Sequence, residues 1–164
     1  SGFCGKLSPM QQWPSARLVA IVADTHGLVR ECVLDALDGV DLILHAGDVG
    51  HPRVLTQLRK CAPVVAIRGN VDADSLPATE VVSVNDRLVY LLHNLADLDL
   101  NPLVAGFSMV VSGHSHQPLI RTKDEVLYVN PGSIGPRRFK LPISFAMADF
   151  GSQPINVRFK EFAE

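Results

Sequence analysis

Cysteine is scarce in this chain: Cys4, Cys32 and Cys61 are its only three, and no two form a C-x-x-C pair. A disulfide framework and a thiolate metal site therefore both lack their raw material. Cys32 and Cys61 fall in segments of helical apolar spacing, where small buried thiols are common, so reduced thiols in a cytoplasmic protein are expected. No apolar run approaches the roughly 20 residues that cross a bilayer. The N-terminus also lacks a basic stretch followed by an apolar one, so no secretory signal is expected. An excess of one charge is missing too. The formal net charge of -2 excludes wholesale binding to nucleic acid or anionic membrane, and any affinity for phosphate must be local. No basic stripe or stacking platform of the kind single-stranded nucleic acids favour is visible. Internal repeats and low-complexity tracts are absent as well.

What is present suffices for one domain: 164 residues of 47% hydrophobic content can bury a substantial core. Residues 1–16 follow neither the helical nor the strand period and mix Gly, Pro, Ser and Gln. They read as a flexible leader or a cloning remnant, with the single domain over 17–164. Met10 is a candidate native start, and an extension that packs Trp13 on the domain is the competing reading.

The chain is organised around LVAIVADTHG, Leu18 to Gly27. Six apolar residues in a row mark a strand covered on both faces, and the run stops at Asp24. Should the extended geometry continue, Asp24 and His26 project to the same side, and Gly27 turns the chain. A helix follows, with Val33, Leu34 and Leu37 on one face and Gly39 as its stop. The pattern then recurs: a strand from Leu42 to Leu44 runs into Gly47 and Asp48, a helix opens near Pro52, and PVVAIRGN ends at Gly69 and Asn70. Such units describe a parallel sheet with a site at its carboxyl edge. TEVVSV and RLVYLLH, separated by Asn85 and Asp86, predict a hairpin whose second strand ends at His93. A short helix is expected in the Leu-rich stretch that follows, and SMVVSGHSH closes on Gly113, His114 and His116. The C-terminal third reads as antiparallel strands forming a second sheet.

Five strand ends thus deliver Asp24, His26, Asp48, Asn70, His93, His114 and His116, all oxygen or imidazole ligands. Such a set suits first-row transition metals better than calcium. The motifs D-x-H (Asp24, His26), G-D (Gly47, Asp48), G-N (Gly69, Asn70), a lone His93 and G-H-x-H (Gly113 to His116) resemble those of the calcineurin-like metallophosphoesterase superfamily. GNVD and NPGSIGPRR are similar to its compact bacterial and archaeal phosphodiesterase branch, which also includes the retromer scaffold subunit of eukaryotes. The resemblance spans about residues 18–160.

That resemblance implies an α/β fold of two facing mixed β-sheets flanked by helices. It implies two divalent ions, manganese first, with iron, nickel, cobalt or zinc as alternatives. One ion would be held by Asp24, His26, Asp48 and His116, the other by Asp48, Asn70, His93 and His114, with Asp48 bridging. Two carboxylates against two such ions leave an excess of about +2, which a bridging hydroxide lowers to about +1, a charge that suits a phosphodiester monoanion. The activity implied is hydrolysis of a small accessible phosphodiester by a metal-bound hydroxide. Asp48, Asn70 and His114 would be catalytic, and Asn70, Arg68 and Arg137 would touch substrate, Arg138 being a further candidate. A non-catalytic protein-binding scaffold is the alternative. The expected partner is a small phosphate ester, nucleic acid and membrane are disfavoured, and a homo-oligomer stays open.

Two positions depart from that family. Val71 stands where many larger relatives place a proton-donating histidine, which puts poor leaving groups in doubt. Asn94 stands where the compact branch often has glycine, with consequences for the second metal. His45 reads as a core or rim residue ahead of a role behind the site, His51 as a surface residue near the mouth, and Asn130 and Ser133 as turn formers.

Overall fold

The computed structural model describes residues 10–72 and 75–163. Its strands and helices alternate through the first half: β1 (Gln11–Trp13), β2 (Leu18–Val22), α1 (Glu31–Ala36), β3 (Leu42–His45), α2 (Pro52–Arg59) and β4 (Val64–Ala66). The hairpin comes next, β5 (Thr79–Val84) and β6 (Arg87–Leu92), with Asn85 and Asp86 both at positive φ as a tight two-residue turn requires. A 3₁₀ turn over Leu95–Asp97 and the short α3 (Pro102–Ala105) lead into β7 (Phe107–Val111). β8 (Leu119–Lys123), β9 (Val126–Asn130), β10 (Ile143–Asp149) and β11 (Asn156–Phe162) complete the chain.

Two mixed sheets result, of order β11-β10-β2-β3-β4 and β1-β5-β6-β7-β9-β8. In the first, β2, β3 and β4 run parallel, so their carboxyl ends share one edge. In the second, β6 and β7 are parallel and end at His93 and the Gly113–His116 loop. The core between the sheets joins Val19, Ile21, Leu42 and Leu44 to Val82, Leu91, Met109 and Val111, all fully buried. On the outer face of the first sheet, Ala20, Val22 and Ile43 pack against Val33 and Leu37 of the α1 segment and Val54, Leu55 and Leu58 of α2. Those three α2 side chains recur at one-face spacing, and burying each is worth about 1.5–3 kcal/mol. His51 caps α2 by accepting the Arg53 amide at Nδ1, 3.1 Å, and Pro52 occupies the first turn.

Four expectations change. The final strand pair does not build the second sheet: β10 lies antiparallel beside β2, with β11 outside it, so both extend the first sheet. Nor is the second sheet all antiparallel, because β7 pairs parallel with β6 and β9. Gln11–Trp13, read as part of a leader, pairs in parallel register with β5, and Trp13 packs on the core, while residues 1–9 lie outside the described residues. Cys32 is exposed and Cys61 only half-buried, since α1 presents Val33 inward and leaves its neighbour outside; Cys4 lies outside the described residues. No helix among the described residues is long and apolar enough to cross a membrane.

Candidate metal centre

The edge where β2, β3, β4, β6 and β7 end gathers the acidic, amide and imidazole residues that the sequence placed at strand ends. Extended geometry does not carry on past β2. Asp24, His26, Asp48, His114 and His116 all have positive φ, 46–73°. Left-handed backbone is uncommon for non-glycine residues, and five such residues at one edge mark a place where surrounding structure enforces it. The enforcement is visible: the Asp24 amide donates to the Gly47 carbonyl, that of His26 to Asp48, and that of Gly27 to Val49, at 2.8–3.0 Å. Gly69 lies so close under Asp48 that an added Cβ would overlap its Oδ1 and backbone nitrogen.

Two compact groups form, Asp24 with His26 and His116, and Asp24 with Asp48 and His93. Asp48 Oδ2 lies 3.2 Å from His93 Nε2 and 3.7 Å from His26 Nε2, between one histidine of each implied ligand set. Asp24 Oδ1 likewise faces His116 at 3.7 Å, His93 at 3.9 Å and His26 at 4.0 Å. Asn70 and His114 sit at the exposed rim, Asn70 Nδ2 being 3.4 Å from His114 Nδ1, and the His114 ring stands edge-on to His93 at 5.3 Å. They stay outside the two compact groups.

The hydrogen bonds orient the rings toward the carboxylates. The Ala46 carbonyl can only accept, so His93 donates to it from Nδ1, 2.8 Å, which turns Nε2 toward the Asp48 carboxylate. Asp24 Oδ1, His26 Nε2, His93 Nε2 and His116 Nδ1 are buried with no hydrogen-bond partner. Buried polar atoms are rarely left so, and a carboxylate and three imidazoles gathered with such atoms unpartnered are a set that a bound cation would satisfy. The donor set thus fits divalent metal.

Electrostatics agree. Burial pushes the Asp24 carboxyl from its ordinary 3.8 up to about 7, with Asp48 adding to the rise while His93 opposes it. Burial pulls His26 down, and it pulls His116 down to about 4 with Arg138 and His26 helping, so both rings are neutral at pH 7. Metal must then displace a proton from Asp24 at acidic pH. Because its folded pKa is raised, Asp24 favours the metal-free fold below about pH 4, a contribution lost as pH rises through 7. His116 has the opposite sign: its contribution is present above 6.5 and lost as pH falls through 4. The rise in melting temperature on adding manganese is expected to grow from pH 5 to pH 8. A gain that is flat or falling with pH, read by scanning fluorimetry, would contradict a carboxylate-led site.

Three supports were missed from sequence. Asp72 accepts the amides of Val49, Gly50 and Gly69 at 2.9–3.0 Å; burial would raise its pKa, but these amides hold it below the usual range. GNVD contains it, yet the amides it gathers lie 3 to 23 residues away. Arg30 donates to the Ile134 and Gly135 carbonyls at 2.6 and 2.9 Å, pinning the loop behind Asp24. Thr25 is the third. The fully buried His45 accepts the Gly47 amide at Nδ1, 3.1 Å, so its Nε2–H donates to Thr25 Oγ1, 3.0 Å, whose hydroxyl donates to the Val49 carbonyl, 2.8 Å. Burial lowers the His45 pKa to about 4 and keeps this tautomer neutral. The chain of bonds ties the Asp24–His26 loop to the Asp48 loop. Thr25→Val keeps the shape but orphans the buried His45 Nε2–H, the Val49 carbonyl keeping the Gly27 amide, so a loss of about 1–3 kcal/mol is expected in urea unfolding. Metal affinity should fall about 10- to 100-fold.

Other sequence candidates separate. Ser133 donates to the Asp24 carbonyl at 3.0 Å, and Asn130 to the Gly113 carbonyl at 3.0 Å, so both brace the site's backbone as turn formers. Arg68 lines a cleft beside Asn70 and donates to the Leu76 carbonyl at 3.3 Å. Arg137 is exposed and donates to the Leu141 carbonyl, whereas the charge of Arg138 is felt at Asp24, His26 and His116. Val71 is 58% exposed at the rim. Asn94 caps the 3₁₀ turn by accepting the Ala96 amide, 3.1 Å.

Residues 18–153 match the calcineurin-like phosphoesterase superfamily domain. The probable metallophosphoesterase of Methanothermobacter thermautotrophicus is 34% identical over 131 residues, 71% of this chain and 76% of that protein. The solved structure of a novel archaeal phosphodiesterase superposes with TM-score 0.73 at 18% identity, over 88% of this chain and 99% of that one. Wild-type Vps29 of Entamoeba histolytica, complexed with zinc, gives 0.70 at 18% identity, over 89% and 99%. The two structures speak for the fold, and the family match over most of the length, with 34% identity to a relative, decides the lineage: this chain belongs to the calcineurin-like phosphoesterase superfamily.

Proposed function

We propose that the chain is a binuclear metal-dependent phosphodiesterase, with manganese as the first candidate metal, acting on a small accessible diester in the cytoplasm. The observation that carries this is the cluster of Asp24, His26, His93 and His116 beside Asp48, each of the first four with a buried polar atom that has no hydrogen-bond partner. Divalent ions held there would supply Lewis acidity, polarising phosphoryl oxygens and lowering the pKa of a coordinated water. Asp48 spans the two histidine groups and fixes their separation. Asn70 and His114, together at the exposed rim, meet the phosphoryl oxygens from the open side, while Arg68 and Arg137 supply positive charge farther out. The name of the archaeal phosphodiesterase fits this reading.

Likeness to Vps29 favours a second reading, in which the same fold serves as a protein-binding scaffold. Metal content and hydrolysis measured on one sample, over diesters, monoesters and nucleotides, separate the two. About two metal ions per chain with diesters turned over fastest is the expected result. Stoichiometric metal with no turnover of any ester would favour the scaffold, and absence of metal binding would sink the catalytic reading.

A further inference from the structure

Two unlike clefts flank the candidate centre, and Asn94 lines both. One, about 260 Å³, reaches His114 and is walled by Leu95, Pro118, Leu119 and Tyr128. The other, about 380 Å³, reaches Asn70 and His93 and is walled by Arg68, Thr79, Asp97 and Asp99. A phosphate seated at Asn70 and His114 would therefore direct its two alcohol arms into chemically different surroundings.

We infer that the Asp97–Asp99 cleft is the subsite for a hydroxyl-rich alcohol arm, such as glycerol or a sugar, an inference that rests on the phosphodiesterase reading above. Its walls bring donors and acceptors together, beside Ala78, Tyr90 and Leu92. Asp97 and Asp99 accept hydroxyl protons, Arg68 donates, Thr79 does either, and Asn94, its Oδ1 committed to the Ala96 amide, offers Nδ2–H. An apolar arm would desolvate these charges without replacing their hydrogen bonds. Among the described residues a second phosphate would meet two carboxylates against one guanidinium, a net repulsion. A cationic arm would gain from the carboxylates but leave Arg68 opposed, whereas a polyol satisfies both signs through neutral hydroxyls. Asn94 also gains a role: glycine at that position would leave no side chain between the two clefts.

Binding without turnover tests this on manganese-loaded protein titrated calorimetrically with glycerol 3-phosphate and with methyl phosphate. Two hydroxyls bonded to charged groups are expected to give glycerol 3-phosphate about a 10-fold advantage or more. In the Asp97→Asn/Asp99→Asn variant that advantage should shrink to within about two-fold, and Thr79→Val should lower it part of the way. The glyceryl and methyl diesters of 4-nitrophenol should repeat the pattern in KM. Equal affinity of the two phosphates in the unmodified protein overturns the subsite even where diesters are hydrolysed. An equal fall for both ligands in the variants overturns it too, since that is the signature of a structural role. Tighter binding of phosphocholine than of glycerol 3-phosphate would assign the cleft to a cation and overturn the polyol class. A protein that shows the glycerol preference but hydrolyses no diester upholds the cleft and sinks the catalytic reading instead.

Discussion

Asp48→Asn is expected to abolish phosphoesterase activity and strip the centre of its shared metal position while the fold survives. Asp48 sits at φ 56°, a left-handed conformation that asparagine adopts as readily as aspartate, so the backbone is not strained by the change. One amide atom still accepts the Val71 amide, as Oδ1 does at 3.1 Å. The other becomes an NH₂ facing His93 Nε2 across the present 3.2 Å, to which a ring protonated at Nδ1 alone can offer its Nε2 as acceptor. The metal-free variant should melt no lower than the parent. Its metal affinity and activity should fall by more than the roughly 10- to 100-fold that loss of an outer-shell partner brings. Metal content, melting temperature with and without manganese, and turnover on one preparation check all three. Two ions per chain and parental turnover in Asp48→Asn would end the bridging assignment.

The parts of this site that were legible in the sequence share one cause. A strand stretch that is buried is mostly apolar, so the first strongly polar residue after it announces both the strand's end and the site: Asp24 after Leu18–Val22, and His93 after the buried second half of Arg87–Leu92. What stayed hidden depends on contacts far apart in the chain. The apolar run of β10 would suit either sheet, and its place beside β2 is fixed by pairing Ala146 with Ile21 across 125 positions. β1 is three residues long, too short to display a period, and its place is fixed by pairing with the distant β5. The left-handed conformations of Asp24, His26 and Asp48 were invisible because the residue types do not demand them; the ladder of amides between the two loops does. Thr25 and Asp72 read as ordinary turn residues until the groups they bond, from the other loop, are brought alongside, and His45, read as a core or rim residue ahead of a role behind the site, proves to be buried and bonded to Thr25.

Val71 sits next to Asn70 at the rim, its amide on Asp48 Oδ1 and its side chain 58% exposed, where larger relatives carry a proton donor. Valine has no proton to give. Hydrolysis at this centre should therefore succeed when the leaving oxygen departs as an anion, so activated aryl diesters should far outpace alkyl monoesters. With a single ionisation controlling the rate, that of the attacking water, activity should rise with pH to a plateau and show no descending alkaline limb. Val71→His removes no core packing at so exposed a position and places an imidazole on the residue whose amide holds Asp48 Oδ1. A positioned general acid contributes about 100- to 10,000-fold, and the variant should recover the lower end of that range on alkyl leaving groups, with little gain on aryl ones. It should also acquire a descending limb as the new imidazole loses its proton. Rate profiles from pH 5 to 10 on matched aryl and alkyl esters read both effects at once. If the unmodified protein already cleaves alkyl monoesters as fast as aryl diesters, some other group at the rim donates the proton, and the mechanism built on Val71 fails.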